Sequence, residues 1–139
     1  MKLGFFAANY AHLSLEEVAK IMVQHGYEMM EIPAYSGCEQ FNCDEIINQP
    51  GKAAELKKML ASYGIEVLGL SNHADSLLIL GPHTEDTDAL CPGTKEEKVK
   101  YGIENLLKTV QAANALEVPV VNGFVGVTNW GRYFPFPCA

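Results

Sequence analysis

Positive charge is what this sequence has least of. Arg132 is its only arginine, and 10 Lys and Arg stand against 17 Asp and Glu, for a formal net charge of −7. A nucleic-acid-binding surface neutralises phosphates with clustered cations. This composition therefore argues against that class and for a small-molecule or protein partner. Long hydrophobic runs are missing too, since nothing approaches the roughly 20 apolar residues of a membrane helix. The apolar start, Met1 to Asn9, is short and runs straight into a helix cap, unlike a secretory leader. A cytoplasmic protein is expected.

The cysteines, Cys38, Cys43, Cys91 and Cys138, include no C-x-x-C pair and no histidine at zinc-finger spacing. Free thiols in a reducing compartment are the expectation. Gly123-Phe124-Val125-Gly126 lacks the dinucleotide and phosphate-loop patterns. His83, Glu85, Asp86 and Asp88 cluster by count but lack a calcium-loop spacing, and they read as a solvated loop. His12 and His25 fall on helix ends or surfaces.

What is present is an ordinary globular composition, 48% hydrophobic and 19% charged, in one domain over residues 1–139. A strand is expected at Lys2–Ala8, with Gly4, Phe6 and Ala8 on one face. Ser14-Leu15-Glu16-Glu17 is a capping box. It opens a helix to about His25, with Leu15, Val18, Ala19, Met22 and Val23 on its stripe and Gly26 as its stop. A second strand spans Tyr27–Pro33 and carries Glu31 near its C-terminal end. A helical turn follows at Asp44–Asn48. Pro50 opens the next helix, which buries Leu56, Met59, Leu60 and Tyr63 and ends at Gly64.

The third strand, Ile65–His73, has two unlike faces. Leu68 and Leu70 are expected on the helix-packing side, and Val67, Gly69, Ser71 and His73 on the other. A long loop, Ala74–Gly93, leads to a second capping box, Thr94-Lys95-Glu96-Glu97. Val99, Ile103, Leu106, Leu107, Val110 and Ala113 then recur at helical spacing as the expected buried stripe. A fourth strand spans Val118–Phe124, and an aromatic, proline-rich tail closes the chain. Alternating β and α elements imply parallel strands joined by right-handed crossovers. One small, polar-tipped face per strand suggests a barrel lumen rather than a flat sheet covered on both faces.

These segments resemble the xylose-isomerase-like superfamily of TIM barrels, the sugar and sugar-phosphate isomerases and epimerases. The resemblance rests on Lys2-Leu3-Gly4-Phe5-Phe6, on the capped Ser14–Glu17 helix, and on Gly26-Tyr27-Glu28-Met29-Met30-Glu31-Ile32, similar to that family's G-[FY]-x-x-[VI]-E-I strand. Gly64-Ile65-Glu66-Val67 with Ser71-Asn72-His73 matches its third strand, and Asn129-Trp130 with the tail matches the loop after its fourth. The resemblance implies an α/β fold of parallel TIM-barrel type, here the N-terminal half, with about four strands and three helices. The later strands carry the family's main metal ligands and would lie outside this chain.

By the same resemblance the activity is metal-dependent proton transfer next to a carbonyl. His73 would meet a sugar oxygen, and Glu31 would orient it or bind a hydroxyl. Asn72 and Asn122 would read hydroxyls, and Phe6, Phe124 and Trp130 would form a wall. None of these residues is expected to be a metal ligand. A divalent metal (Mn, Mg, Co or Zn) belongs to the full-length barrel and is not expected to be held by this chain alone. The partners implied are a small sugar or sugar phosphate and either the missing C-terminal half or a second copy, with no nucleic acid and no membrane. An apurinic-endonuclease-like hydrolase is the neighbouring alternative, although Asn122 stands where that branch has a histidine. A non-catalytic half-barrel that binds a ligand or partner is the other.

Overall fold

The computed structural model describes residues 1–127. Its four strands are β1 (Gly4–Phe6), β2 (Met29–Pro33), β3 (Glu66–Asn72) and β4 (Val121–Gly123). They form one sheet in the order β1-β2-β3-β4, and every neighbouring pair is parallel. The helices are α1 (Leu15–Gln24), α2 (Cys43–Asn48), α3 (Lys52–Ser62) and α4 (Lys95–Leu116). The expected turn at 44–48 is therefore a helix in its own right, capped by the Asn42 side chain, which accepts from the amides of Asp44 and Glu45.

Local chemistry sets the helix ends. At α1 the Ser14 hydroxyl accepts from the Glu17 amide at 3.3 Å, and Glu17 reaches back to the Ser14 amide at 2.9 Å. Thr94 and Glu97 repeat the arrangement at α4. Gly26 and Gly64 follow their helices with φ of +76° and +70°, the left-handed stop that glycine adopts without a Cβ clash. Pro50 does not open α3. Gly51 is the N-cap, at φ +89°, so the proline sits one residue outside the cap.

A single core lies between the sheet and the helices. It joins Leu15, Val18, Ala19 and Met22 of α1 to Met30 and Ile32 of β2, Leu70 of β3, Leu60 of α3, and Ala112, Ala113 and Leu116 of α4. Burying the Leu, Val, Ile and Met side chains among them contributes about 1.5–3 kcal/mol each. Val23 of α1 was expected in this layer and instead stays about half exposed.

The third strand departs from simple alternation. Met30 pairs with Val67, yet Glu31 pairs with Gly69, so Leu68 is an extra residue, a β-bulge. The bulge changes which residues face the helices. Ile65 and Val67 pack on the core before it, and Leu70 packs there after it. Leu68 does not join Leu70 on the helix side. It is 39% exposed and lies beside Gly4 on the opposite face. Val67 likewise belongs to the core and not to the face of His73.

The buried stripe of α4 also differs from the expected one. Its buried residues are Lys98, Gly102, Thr109, Ala112, Ala113 and Leu116, whereas Ile103, Leu107 and Val110 are exposed. The helix presents its small and polar stripe to the fold, because the turn at Asp75–Ile79 and the end of β3 come too close for large side chains. Gly102 shows the constraint. A Cβ there would lie 2.8 Å from the Asp75 carbonyl oxygen and 3.2 Å from Leu78 Cβ.

Two outcomes are expected. Gly102→Ala gains helix propensity of about 1 kcal/mol but overpacks a contact of backbone against backbone, which costs about 1–3 kcal/mol. The variant is expected to be net destabilised, read as a lower urea midpoint; an unchanged or higher midpoint would contradict the close approach. Acid titration tests the caps. The Ser14 side-chain hydrogen bond holds Glu17 below the ordinary value of 4.5, and the Thr94 backbone amide does the same for Glu97. A carboxyl lowered by folding stabilises above its unfolded value and loses that contribution as pH falls through its folded value. Stability should thus fall as pH drops below about 4.5, and Glu17→Gln with Glu97→Gln should flatten that fall in pH-dependent thermal melts.

Candidate functional site

With all helices packed on one side, the other face of the sheet carries Gly4 and Phe6 of β1, Met29 and Glu31 of β2, Leu68 of β3 and Asn122 of β4. Register fixes this set: Phe6 pairs with Glu31, Glu31 with Gly69, and Ser71 with Asn122. His73 follows β3 on the same face, at the C-terminal end of the strands, where α/β proteins bind their ligands.

His73 lies between two aromatic rings. The Phe124 ring stacks on the imidazole with centroids 4.6 Å apart and planes 23° apart. The Phe6 ring meets it edge-on at 5.5 Å. Phe124 is itself 61% exposed, so the stack stands at an open mouth. Glu31 is half-buried on this face, and among the described residues no hydrogen bond engages its carboxylate. Asn122 is exposed beside them. The structure therefore brings together His73, Phe6, Phe124, Glu31 and Asn122. Trp130 lies outside the described residues.

Asn72 is placed elsewhere. It is fully buried and points to the helix side, as alternation from the core residue Leu70 requires. Its Nδ2 donates to Thr109 Oγ1 of α4 at 3.1 Å and to Asp75 Oδ2 at 3.2 Å. Its Oδ1 accepts from the Ser76 amide at 3.2 Å. Every polar atom of the side chain is thus engaged within the protein, and none reaches the open face.

This network nonetheless builds the site. The Ser76 hydroxyl sits between the Asn72 and Phe124 carbonyl oxygens, 2.8 Å from the latter. It fastens the segment after β4 to the end of β3 and so sets Phe124 over His73. Gly123 permits the approach, since a Cβ there would stand 2.7 Å from Ser76 Oγ. Thr109, Ser76 and Gly123 carry no sequence signal of this role; only an inward-facing asparagine beside a turn hints at it.

A second anchor was also invisible in the sequence. Lys98 is 1% exposed, and its Nζ donates to the Thr84 carbonyl at 2.6 Å, to Thr87 Oγ1 at 3.1 Å and to Asp88 Oδ1 at 2.5 Å. A buried ammonium is tolerated only when its donors are satisfied, and here they are satisfied by the long loop after β3. His83 Nε2 bonds the Leu78 carbonyl at 2.8 Å. The acidic residues 85, 86 and 88 stay exposed.

No family model matches the chain, and no curated protein matches it. Among solved structures, it is similar to the probable 3-DHS dehydratase AsbF from Bacillus anthracis, described as involved in petrobactin synthesis. The TM-score is 0.54 at 13% identity, over 88% of this chain and 38% of that one. Together with the four sequential parallel strands, this decides the architecture.

The fold is that of half a TIM barrel.

The half-barrel spans little more than a third of its solved neighbour's length, and at this identity the likeness speaks for fold alone. Among the described residues of the half-barrel, no group of three or more His, Cys, Asp or Glu is arranged to hold a metal ion. No described helix is long and apolar enough to cross a membrane.

The Ser76 tie gives a direct test. Ser76→Ala removes the one hydroxyl proton shared between the Phe124 and Asn72 carbonyls, a loss of about 1–3 kcal/mol. The Phe124 ring is then expected to leave the imidazole, seen as reduced ring-current shifts of the His73 ring protons in NMR. Shifts matching wild type would show that Ser76 does not set the stack.

Proposed function

We propose that this chain forms the N-terminal half of a barrel enzyme of the xylose-isomerase-like superfamily. Its chemistry would be isomerisation or epimerisation of a sugar or sugar phosphate by proton transfer next to a carbonyl. The observation that carries the reading is His73 stacked under Phe124 and against Phe6, at the C-terminal rim of an uncovered sheet face. Aromatic faces and one restrained hydrogen-bonding ring suit a hydroxyl-rich ligand that must be oriented before it reacts.

In this reading Phe6 and Phe124 shield one side of the substrate from water. His73, fixed by the stack, exchanges a hydrogen bond with a substrate carbonyl or hydroxyl oxygen. Glu31 has a carboxylate without a protein partner among the described residues. It accepts from a hydroxyl, or takes the proton from the carbon beside the carbonyl, as general base catalysis requires a positioned acceptor. Asn122 reads a further hydroxyl. The divalent metal implied by the resemblance does not fit the described residues, and no step is assigned to it here.

The open sheet face and the free edges of β1 and β4 would be covered by further β/α units, in the same polypeptide or in a second chain. Exposed Leu3, Leu68, Val120 and Phe124 support that reading, because unpaired strand edges and apolar patches invite association.

A dehydratase is the second reading. It is favoured by the likeness in fold to a probable 3-DHS dehydratase. Dehydration of a hydroxylated carbonyl compound also can begin with proton removal beside the carbonyl, so the same residues would serve.

The test is His73→Ala in a protein carrying the complete barrel. Loss of a hydrogen bond that leaves its partner unpaired costs about 1–3 kcal/mol, or roughly a 5- to 150-fold fall in kcat/KM, with fold and metal content retained. Wild-type kinetics would remove His73 from the site. Product mass separates the readings, since isomerisation conserves it and dehydration lowers it by one water.

A further inference from the structure

On the helix side of the sheet, behind the His73 cluster, there is a cavity of about 250 Å³. It is walled by the segment after β2 (Ala34, Tyr35, Ser36), by Cys43 at the start of α2, by Asp75 after β3, and by Asn105 of α4. None of the residues placed on the open face lines it.

Asp75 is the feature that calls for a ligand. The residue is 2% exposed. Its Oδ2 accepts from the Ser36 amide at 2.7 Å and from Asn72 Nδ2 at 3.2 Å. Its Oδ1 accepts from no group among the described residues. That oxygen is not sealed off either, because the one sealed, unpartnered side-chain oxygen or nitrogen among the described residues is Gln40 Oε1. The small remaining exposure of Asp75 therefore opens on the cavity it lines. A carboxylate oxygen with no protein donor, open only to this cavity, is a strong acceptor for whatever occupies it.

The other walls narrow the chemistry. Burial pushes the Cys43 thiol up, and the thiol donates to the Ala34 carbonyl at 3.6 Å. Desolvation raises the Tyr35 phenol, which stays neutral. Asn105 uses its Nδ2 on the Tyr101 carbonyl at 3.1 Å, leaving its amide oxygen as an acceptor. Lys108 is held by Asp44 at 3.1 Å on the rim. With that pair balanced, the cavity is left with the charge of Asp75.

We propose that this cavity binds a small protonated amine, whose ammonium donates to Asp75 Oδ1 and Asn105 Oδ1. The volume lies below the roughly 300–1,000 Å³ of drug-sized sites, so the ligand is a short one. An ammonium suits the place better than a hydroxyl, because it supplies both the donors and the compensating charge.

The experiment uses ethanolammonium as the probe and ethylene glycol as its neutral counterpart, each titrated into the 139-residue chain under 15N-resolved NMR at constant ionic strength. Ethanolammonium is expected to shift the Ser36 amide saturably, and glycol is not. Asp75→Asn should weaken binding about tenfold or more, the scale of one lost charge-assisted hydrogen bond. Asn105→Leu, close in shape to asparagine, removes the second acceptor while leaving Asp75 and its partners intact, and should weaken the shift even if the aspartate variant does not fold. No saturable shift, equal binding of glycol, or undiminished binding by Asn105→Leu would each overturn the proposal.

Discussion

The end of β3 is held by the Asn72 side chain, and much else depends on that. Buried without water, its amide has to find every partner inside the protein. It finds Thr109 on α4, Asp75 and the Ser76 amide. These bonds bring the turn after β3 against α4, fix Asp75 at the wall of the helix-side cavity, and position Ser76 to reach the Phe124 carbonyl. One buried polar group thus determines both what lies above the sheet and what lies below it.

The same closeness explains why α4 is turned as it is. A helix approaching a backbone turn needs glycine or small residues at the contact, and Gly102, Thr109, Ala112 and Ala113 meet that need. The larger Ile103, Leu107 and Val110 are then turned outward. Apolar surface is consequently exposed both on the outer side of α4 and on the open face of the sheet, around Leu68 and Phe124. A half-barrel with sequential strands leaves the open face unpacked, since right-handed crossovers put every helix on the other side.

Much of the architecture was legible in the sequence, because its signals are local. Both capping boxes, the stops at Gly26 and Gly64, and the alternation of strand and helix needed only neighbouring residues to be read. Placing His73, Glu31, Phe6, Asn122 and Phe124 on one rim needed only strand periodicity together with parallel pairing. Where alternation was interrupted, the reading failed. The bulge at Leu68 exchanges the faces of Val67 and Leu68, and no residue type in Glu66-Val67-Leu68-Gly69 announces it. Asn72 is a separate miss, since alternation from Leu70 already places it on the helix side, where its side chain is spent inside the protein.

What the sequence by itself determined, then, is element type, order and parallel topology, for capping, glycine stops and hydrophobic period act over a few residues. Tertiary structure alone decided which stripe of α4 is buried, that Lys98 is an internal anchor for the loop, that Asp75 lines a cavity, and that Ser76 sets Phe124 over His73. Each of these depends on contacts between residues far apart in the chain, such as Asn72 with Thr109 or Ser76 with Phe124. Their energies come from distance and desolvation, which exist only once the strands and helices have been packed.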